Sequence, residues 1–422
     1  MKKTFVLLSL ASLLAITGCG KAEEKKEDTT PEGDTPATPG TIDDLDPKDG
    51  DHYGGVEQSG TVGLSYTLTQ YLNNDKWENG YKVTGYEGSN PNVVIPSTFN
   101  KLPVVEIDDR AFQNNLVIES LTLGKNIRNI GDYAFSRTFN MTKVNIERGN
   151  PYLVIEDGLV YHVEKEGKTE VSRTLYFGEA GRYVSFDTYA KKITKLAFGC
   201  FGNFENLIYL RMSLDLVPTY PNSIQGKENH LYYLFNYSSS TSQYRIDKMK
   251  SAFVPHLSTL VLGGDTVSAV PSYFCQYLYS LTSVVLEEGI TAVNIYSFAH
   301  CTRLRNVEFP STMEYINGTS FAYTDDLYRL YFKKTTNKLY FYTYSSSYGV
   351  FYNKDRNWAM YLVFEDKTSN ISFDANSLKF DPDKGSTAST LSEKTYQDYL
   401  DINPTRAFSE IPPDPASWFY HL

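Results

Sequence analysis

The sequence predicts a repeat solenoid, mainly β. Two observations carry that reading: a small-aromatic pair that returns at intervals of 23 residues, and a strand-like alternation that closes each copy. Ala111-Phe112 comes back as Ala134-Phe135, and Ser297-Phe298 as Ser320-Phe321. A unit of that length cannot bury its own apolar face, so the copies must stack on one another.

The echo extends across whole units. Ile290, Val293, Ser297, Phe298, Cys301, Leu304, Val307 and Phe309 are matched 23 positions on by Met313, Ile316, Ser320, Phe321, Thr324, Leu327, Leu330 and Phe332. One unit earlier stand Val270 and the reversed pair Phe274-Cys275. Towards the N-terminus Ile107, Ala111 and Phe112 lead into Ile130, Ala134 and Phe135, and a further unit fits at Leu196, Cys200 and Phe201. The closing Leu-x-x-Val-x-Val/Phe alternates apolar and polar residues at the period of a half-buried strand, so each coil is expected to contribute one short strand. The small-large pair suits a place where the chain turns inward and an aromatic fills the axis. Eight strand positions follow, ending near Ile95, Leu123, Ile146, Met212, Leu262, Leu286, Phe309 and Phe332. Stacked without a break they would make a sheet about 35 Å long.

These residues resemble the leucine-rich repeats of BspA-like, or Treponema pallidum-type, surface proteins. The family pattern runs Val-x-x-Ile-x-x-x-Ala-Phe-x-x-Cys-x-x-Leu-x-x-Ile-x-Ile-Pro. Phe309-Pro310 and Ile95-Pro96 match its end, and Leu102-Pro103-Val104 matches the usual entry into a first complete repeat. At the Cys position only Cys301 agrees, with Asn115, Thr138 and Thr324 standing in. The resemblance implies a leucine-rich repeat solenoid and adhesion to host or neighbouring-cell components.

Residues 1–18 read as a lipoprotein signal peptide: Lys2 and Lys3 precede an apolar run from Phe5 to Ile16, too short to span a bilayer, and Ile16-Thr17-Gly18-Cys19 resembles a lipobox with Cys19 as the acylated residue. Residues 19–60 read as a disordered acidic tether rich in Pro and Thr, since Gly20 to His52 holds eleven Asp and Glu against four Lys and almost no large apolar side chains. Residues 61–103 form an N-terminal β cap and first coil, 104–149 repeats, 150–192 a β-hairpin insertion, 193–213 a repeat, and 214–252 an irregular insertion with no assignable fold. Repeats resume over 253–333. A C-terminal β cap is expected over 334–380 and a polar tail over 381–422. Asp157-Gly158-Leu159-Val160-Tyr161 and Thr174-Leu175-Tyr176-Phe177 are the hairpin strands, and Gly349 to Tyr352 with Met360 to Phe364 would cover the open end.

Charge and composition exclude some functions. Most of the net charge of −10 lies in the tether, and the mildly acidic remainder gives no basic face for nucleic acid. The six histidines show no metal-ligand spacing, and no His-Glu-x-x-His, Gly-x-Ser-x-Gly or phosphate loop occurs, so neither a metal nor a cofactor nor a catalytic residue is expected. His300 beside Cys301 is the most tempting pair, but neighbouring side chains point apart and Cys301 occupies a core position. Acid pairs such as Asp108-Asp109 and Glu287-Glu288 read as solvated turns. Cys275 and Cys301 fall in neighbouring coils, where a bridge depends on geometry that sequence does not fix. Tyrosine is abundant, with 34 residues, and clusters at Tyr340, Tyr342, Tyr344 and Tyr348. Such a cluster suits either a contact surface or an ordinary strand face.

The sequence therefore points to a non-catalytic, surface-exposed platform, lipid-anchored on the extracytoplasmic side of a bacterial membrane, that engages an extracellular protein or glycan. If the strands share one face, the outward residues Thr122, Asn145, Arg211, Val285, Glu308 and Tyr331 form its candidate binding surface. The alternative is a structural envelope lipoprotein that binds cell-wall polymer or self-associates. A hydrolase hidden in 213–250 or 380–422 is a third reading, with no motif behind it.

Overall fold

The computed structural model describes residues 60–216, 234–235, 254–333, 337–342, 349–351, 360–365, 371–373 and 391–395. Residues 1–59, which hold the expected signal peptide, Cys19 and nearly all of the expected tether, lie outside them, as do most of 214–252 and of 381–422. What is described is a mainly β solenoid of about nine turns with almost no helix.

A hairpin opens it. Leu64–Asn73 and Lys76–Tyr86 pair antiparallel, and both loop residues, Asn74 and Asp75, have positive φ, which matches the twist a two-residue hairpin needs. Leu64, Tyr66 and Leu68 alternate inward. The second strand then pairs parallel with Leu102–Ile107, so the hairpin covers the edge of the first coil.

Among the described residues most coils contribute two strands, one more than their sequence suggests. The longer strand is the predicted Leu-x-x-Val-x-Val segment; the second, only two residues long in most coils, sits at the Ile or Val ahead of the small-aromatic pair. Ala269–Val270, Ala292–Val293 and Tyr315–Ile316 run parallel with Leu339–Phe341 and Ile371–Phe373. A third inter-coil ladder runs through the pair itself: Cys275 N donates to Ser297 O and Phe298 N to Ser320 O, at 2.8 and 2.9 Å. The residues flanking the pair are left-handed, among them Tyr273, Tyr277, Tyr296 and His300 with φ between 55° and 69°. Non-glycine residues are strained there, and the amide bonds to the next coil offset the strain.

The long sheet is broken. Asn92–Ile95, Ser120–Leu123 and Lys143–Ile146 form a three-stranded parallel sheet, and a separate eight-stranded sheet runs from Ser185–Asp187 through Tyr209–Ser213, Thr259–Gly263, Ser283–Leu286, Asn306–Phe309 and Arg329–Phe332 to Met360–Phe364 and Leu391–Thr395. At the break Val144 N finds the Glu179 carboxylate at 3.1 Å in place of a strand carbonyl. Between the two sheets stands an antiparallel meander of Leu153–Glu156, Leu159–Glu166 and Thr169–Gly178, tied to the next coil at Leu175–Leu196. Its alternation sorts residues to two cores. Val160, Leu153 and Phe177 join the cluster that holds Ile107, Phe112, Ile130 and Phe135, whereas Leu159, Tyr161, Val163 and Leu175 join the one that holds Leu196, Phe201, Val270, Val293, Phe298, Ile316 and Phe321. The meander is therefore a wall between two hydrophobic cores.

Several boundaries move accordingly. Ser185–Asp187, placed by sequence in the 150–192 insertion, is the first strand of the long sheet. Phe235, inside the 214–252 insertion, stands between Phe201 and Phe274 at centroid distances of 6.0 and 5.3 Å, continuing the aromatic column of the repeats. Within the expected cap over 334–380 the described segments continue the parallel stacking: Met360–Phe364 pairs parallel with Arg329–Phe332, and Phe321 N donates to Val350 O while its ring lies 6.1 Å from Phe351. Leu391–Thr395, in the supposed polar tail, adds another parallel strand. Ala134 is buried, but Ala111 is only half-buried because a hairpin, not a full coil, precedes it.

Candidate functional site

The candidate binding residues are divided between two hydrogen-bonded sheets. Thr122 and Asn145 sit on the three-stranded sheet, and Arg211, Val285, Glu308 and Tyr331 on the eight-stranded one. Within the latter, the register aligns Arg211, Val261, Val285, Glu308 and Tyr331 in one outward row. Three of these residues are not open to solvent: Val261 is 0%, Val285 6% and Tyr331 8% exposed. Val285 packs with Tyr209 and Val261 in a small apolar cluster of its own on that face. Tyr331 is flanked by Glu308 on one side and by the Met360–Phe364 strand on the other, so it does not end the sheet.

Arg211 is internally satisfied. Its Nε donates to Glu287 Oε1 at 2.8 Å, a terminal nitrogen lies 3.4 Å from Asp187 Oδ2, and the guanidinium sits 4.6 Å from the Tyr189 ring centroid. To reach Glu287 the side chain must cross the intervening strand Thr259–Gly263. Gly263 makes the room: a Cβ there would collide with the Glu287 carboxylate and the Tyr189 hydroxyl. The other acid pairs are also joints between coils and not merely solvated turns. Asp109 accepts from Asp132 N at 2.7 Å, and Glu288 from Ser311 N and Oγ at 3.1 and 2.8 Å, each one coil further along. Burial, with the Asp109 charge second, raises the Asp132 carboxyl to about 6.

A different surface is built by the left-handed turn residues. Because these positions recur once per coil, their side chains line up. Tyr277, His300 and Tyr323 stack with centroids 4.7 and 4.1 Å apart and planes within 15° and 10°. In the adjoining column Tyr273 and Tyr296 stack at 5.2 Å and 13°. All five are half-buried. On the short-strand sheet Tyr315 stacks on its register partner Tyr340 at 5.6 Å, with Tyr342 alongside at 6.0 Å. Tyr340 and Tyr342 flank Phe341, which points inward, so the alternation there is that of a strand face. Tyr344 and Tyr348 lie outside the described residues. The signal for the columns was present in the sequence as the spacings 273/296 and 277/300/323, which the core-centred reading passed over.

His300 and Cys301 diverge. The imidazole lies in the aromatic column, while the Cys301 thiol is fully buried and directed at Cys275 O at 3.1 Å. Cys200, Cys275 and Cys301 are all free thiols, and burial drives each well above the usual thiol range. Cys275 and Cys301 therefore do not bridge. Among the described residues no cluster of His, Cys, Asp and Glu could hold a metal ion.

Stacked coils with parallel strands, an axial phenylalanine column and two strands per turn define a leucine-rich repeat solenoid. Residues 87–159 and 256–351 match the BspA type leucine rich repeat region, in six copies. The repeats in those two stretches are BspA-type. The coil spanning Lys195–Ser213 falls outside the matched stretches although it stacks in register. Solved structures similar to this chain include a leucine rich cell surface protein of Faecalibacterium prausnitzii, 13% identical over 63% of this chain and 93% of its own, with a TM-score of 0.35. The pneumococcal vaccine antigen PcpA is 16% identical over 65% of this chain and 59% of its own, TM-score 0.42. A leucine rich repeat protein of T. pallidum is 17% identical over 62% and 78%, TM-score 0.19. The comparison with curated proteins gave no match.

Proposed function

We propose that this chain is a non-catalytic binding platform displayed on a bacterial surface, held by a lipid on Cys19 and lifted from the membrane by the acidic tether, and that it engages an extracellular protein or glycan. The observation that carries the reading is the aromatic edge of the repeats. Tyrosine and histidine offer large contact area with few rotatable bonds, and here stacking between coils has already fixed their rings, so little ordering cost remains on binding. The surface thus moves from the outward sheet row, where Val285 and Tyr331 are buried, to the turns bearing Tyr273, Tyr277, Tyr296, His300 and Tyr323.

Cells displaying the full chain are to be screened against extracellular-matrix proteins, glycans and wall fragments, with Tyr277→Ser/Tyr323→Ser as the control. Capture that the control abolishes supports the platform; capture of wall polymer alone favours an envelope-organising lipoprotein instead. For the anchor, a Cys19→Ala chain is expected in the medium, and its retention in the membrane would refute lipidation.

A further inference from the structure

We infer that the cleft between the inserted meander and the following coil is a binding subsite for one uncharged pyranose unit of a glycan. The cleft has a volume of about 570 Å³, within the range of small-ligand sites. Glu156, Glu170 and Arg173 from the meander form one wall, and the turn carrying Lys191 and Lys192 forms the other.

Its charges are balanced and, Lys192 apart, already committed. Arg173 reaches Glu156 and Glu170 at 2.6 Å each and lies 4.8 Å from the Tyr161 ring centroid. Asp157 is held by Lys191 at 2.7 Å and by Arg182 at 2.6 Å. A ligand cation would have to displace Arg173 or Lys191 to reach a carboxylate, and a ligand anion would meet the three carboxylates of Glu156, Asp157 and Glu170 with Lys192 as the one lining cation not already paired. A neutral polyol meets neither obstacle. It can donate to the spare lone pairs of carboxylates whose directions the ion pairs have fixed, and accept from Lys192, whose ammonium has no ion pair or hydrogen bond among the described residues. Tyr161, Ser172 and Thr194 line the same space, and Val171, 47% exposed, gives the C–H face of a sugar ring an apolar contact. Carboxylates, a free amine, hydroxyls and one apolar patch in a single preformed cleft suit a sugar better than a peptide side chain. The subsite is separate from the aromatic edge and goes beyond the surface proposed above.

The test is saturation-transfer NMR on the purified full chain with four pyranose probes: glucose, N-acetylglucosamine, glucuronic acid and glucosamine. Transfer is expected to one or both neutral sugars and several-fold less to the two charged ones. Lys192→Ala, at an exposed residue without a partner, should leave the melting temperature unchanged and weaken the neutral sugar about tenfold, the worth of one hydrogen bond from a charged donor. Val171→Asp, which places a charge at the rim, should weaken it as well. Tyr277→Ser/Tyr323→Ser should leave it unchanged, so failure of the aromatic edge and failure of the subsite read out separately. Absence of transfer to both neutral sugars, equal transfer to the charged ones, or indifference to both cleft variants would overturn the proposal.

Discussion

Phe298→Ala should loosen one half of the solenoid and spare the other. Phe298 is fully buried in the C-terminal core and stacks on Phe321 at 5.4 Å and 6°. A phenylalanine buries roughly 150–250 Å², about 4–6 kcal/mol at 25 cal/mol per Å². Since the Cβ remains and the coil can relax in part, about 3–5 kcal/mol is the expected loss. In a stack coupled mainly to its neighbours, that loss falls on the coils that share the core. The meander limits its reach, because its two faces belong to different clusters. In native-state hydrogen exchange followed by mass spectrometry, amides of Thr259–Gly263, Ser283–Leu286 and Asn306–Phe309 should exchange about 100- to 4,000-fold faster, at 1.4 kcal/mol per decade. Those of Leu64–Asn73, Leu102–Ile107 and Ser120–Leu123 should change little. Phe112→Ala, in the N-terminal core, should give the mirror image. Equal acceleration in both halves for either variant would refute the wall.

Three further outcomes follow from the joints between coils. The folded Asp132 carboxyl titrates near 6 against 3.8 as a free side chain, so the folded state binds its proton more tightly and stability falls as pH rises between those values; Asp132→Asn should add about 1 kcal/mol at pH 7.5 after discounting for solvent screening, and nothing at pH 4, by urea denaturation at the two pH values. Gly263→Ala and Arg211→Ala should each cost about 1–2 kcal/mol through the same contact with Glu287, so the double variant should cost little more than either alone, and additive urea midpoints would show the two positions to be independent. Cys200, Cys275 and Cys301 should resist iodoacetamide in the native chain and react fully in urea; labelling of any of them without denaturant, or a disulfide in the native protein, would contradict their burial.

The solenoid was legible because its period is enforced by packing: Phe112, Phe135, Phe298 and Phe321 must stack, so neither they nor the small residue before them can drift. The second strand of each coil was not, because Ala292–Val293 and its counterparts are too short to show an alternation. The break in the long sheet was hidden for another reason. The meander reads as a surface hairpin in sequence, and its role as a wall depends on which core each face meets. Phe235 and Phe351 join the aromatic column at irregular spacing, so a search for 23-residue steps misses them. Val285 looked outward correctly from its strand period, but burial on that face is decided by Tyr209, Val261 and the crossing Arg211, which come from other coils. The aromatic columns were readable in principle, since Tyr277, His300 and Tyr323 keep the period.

The most direct measurement of the account is binding by the displayed full chain, compared with the Tyr277→Ser/Tyr323→Ser and Lys192→Ala variants, across one panel of matrix proteins and glycans. The account predicts at least one ligand that the wild type captures and the tyrosine variant loses with the fold intact by circular dichroism. A panel captured equally by wild type and tyrosine variant would contradict the aromatic edge as the recognition surface.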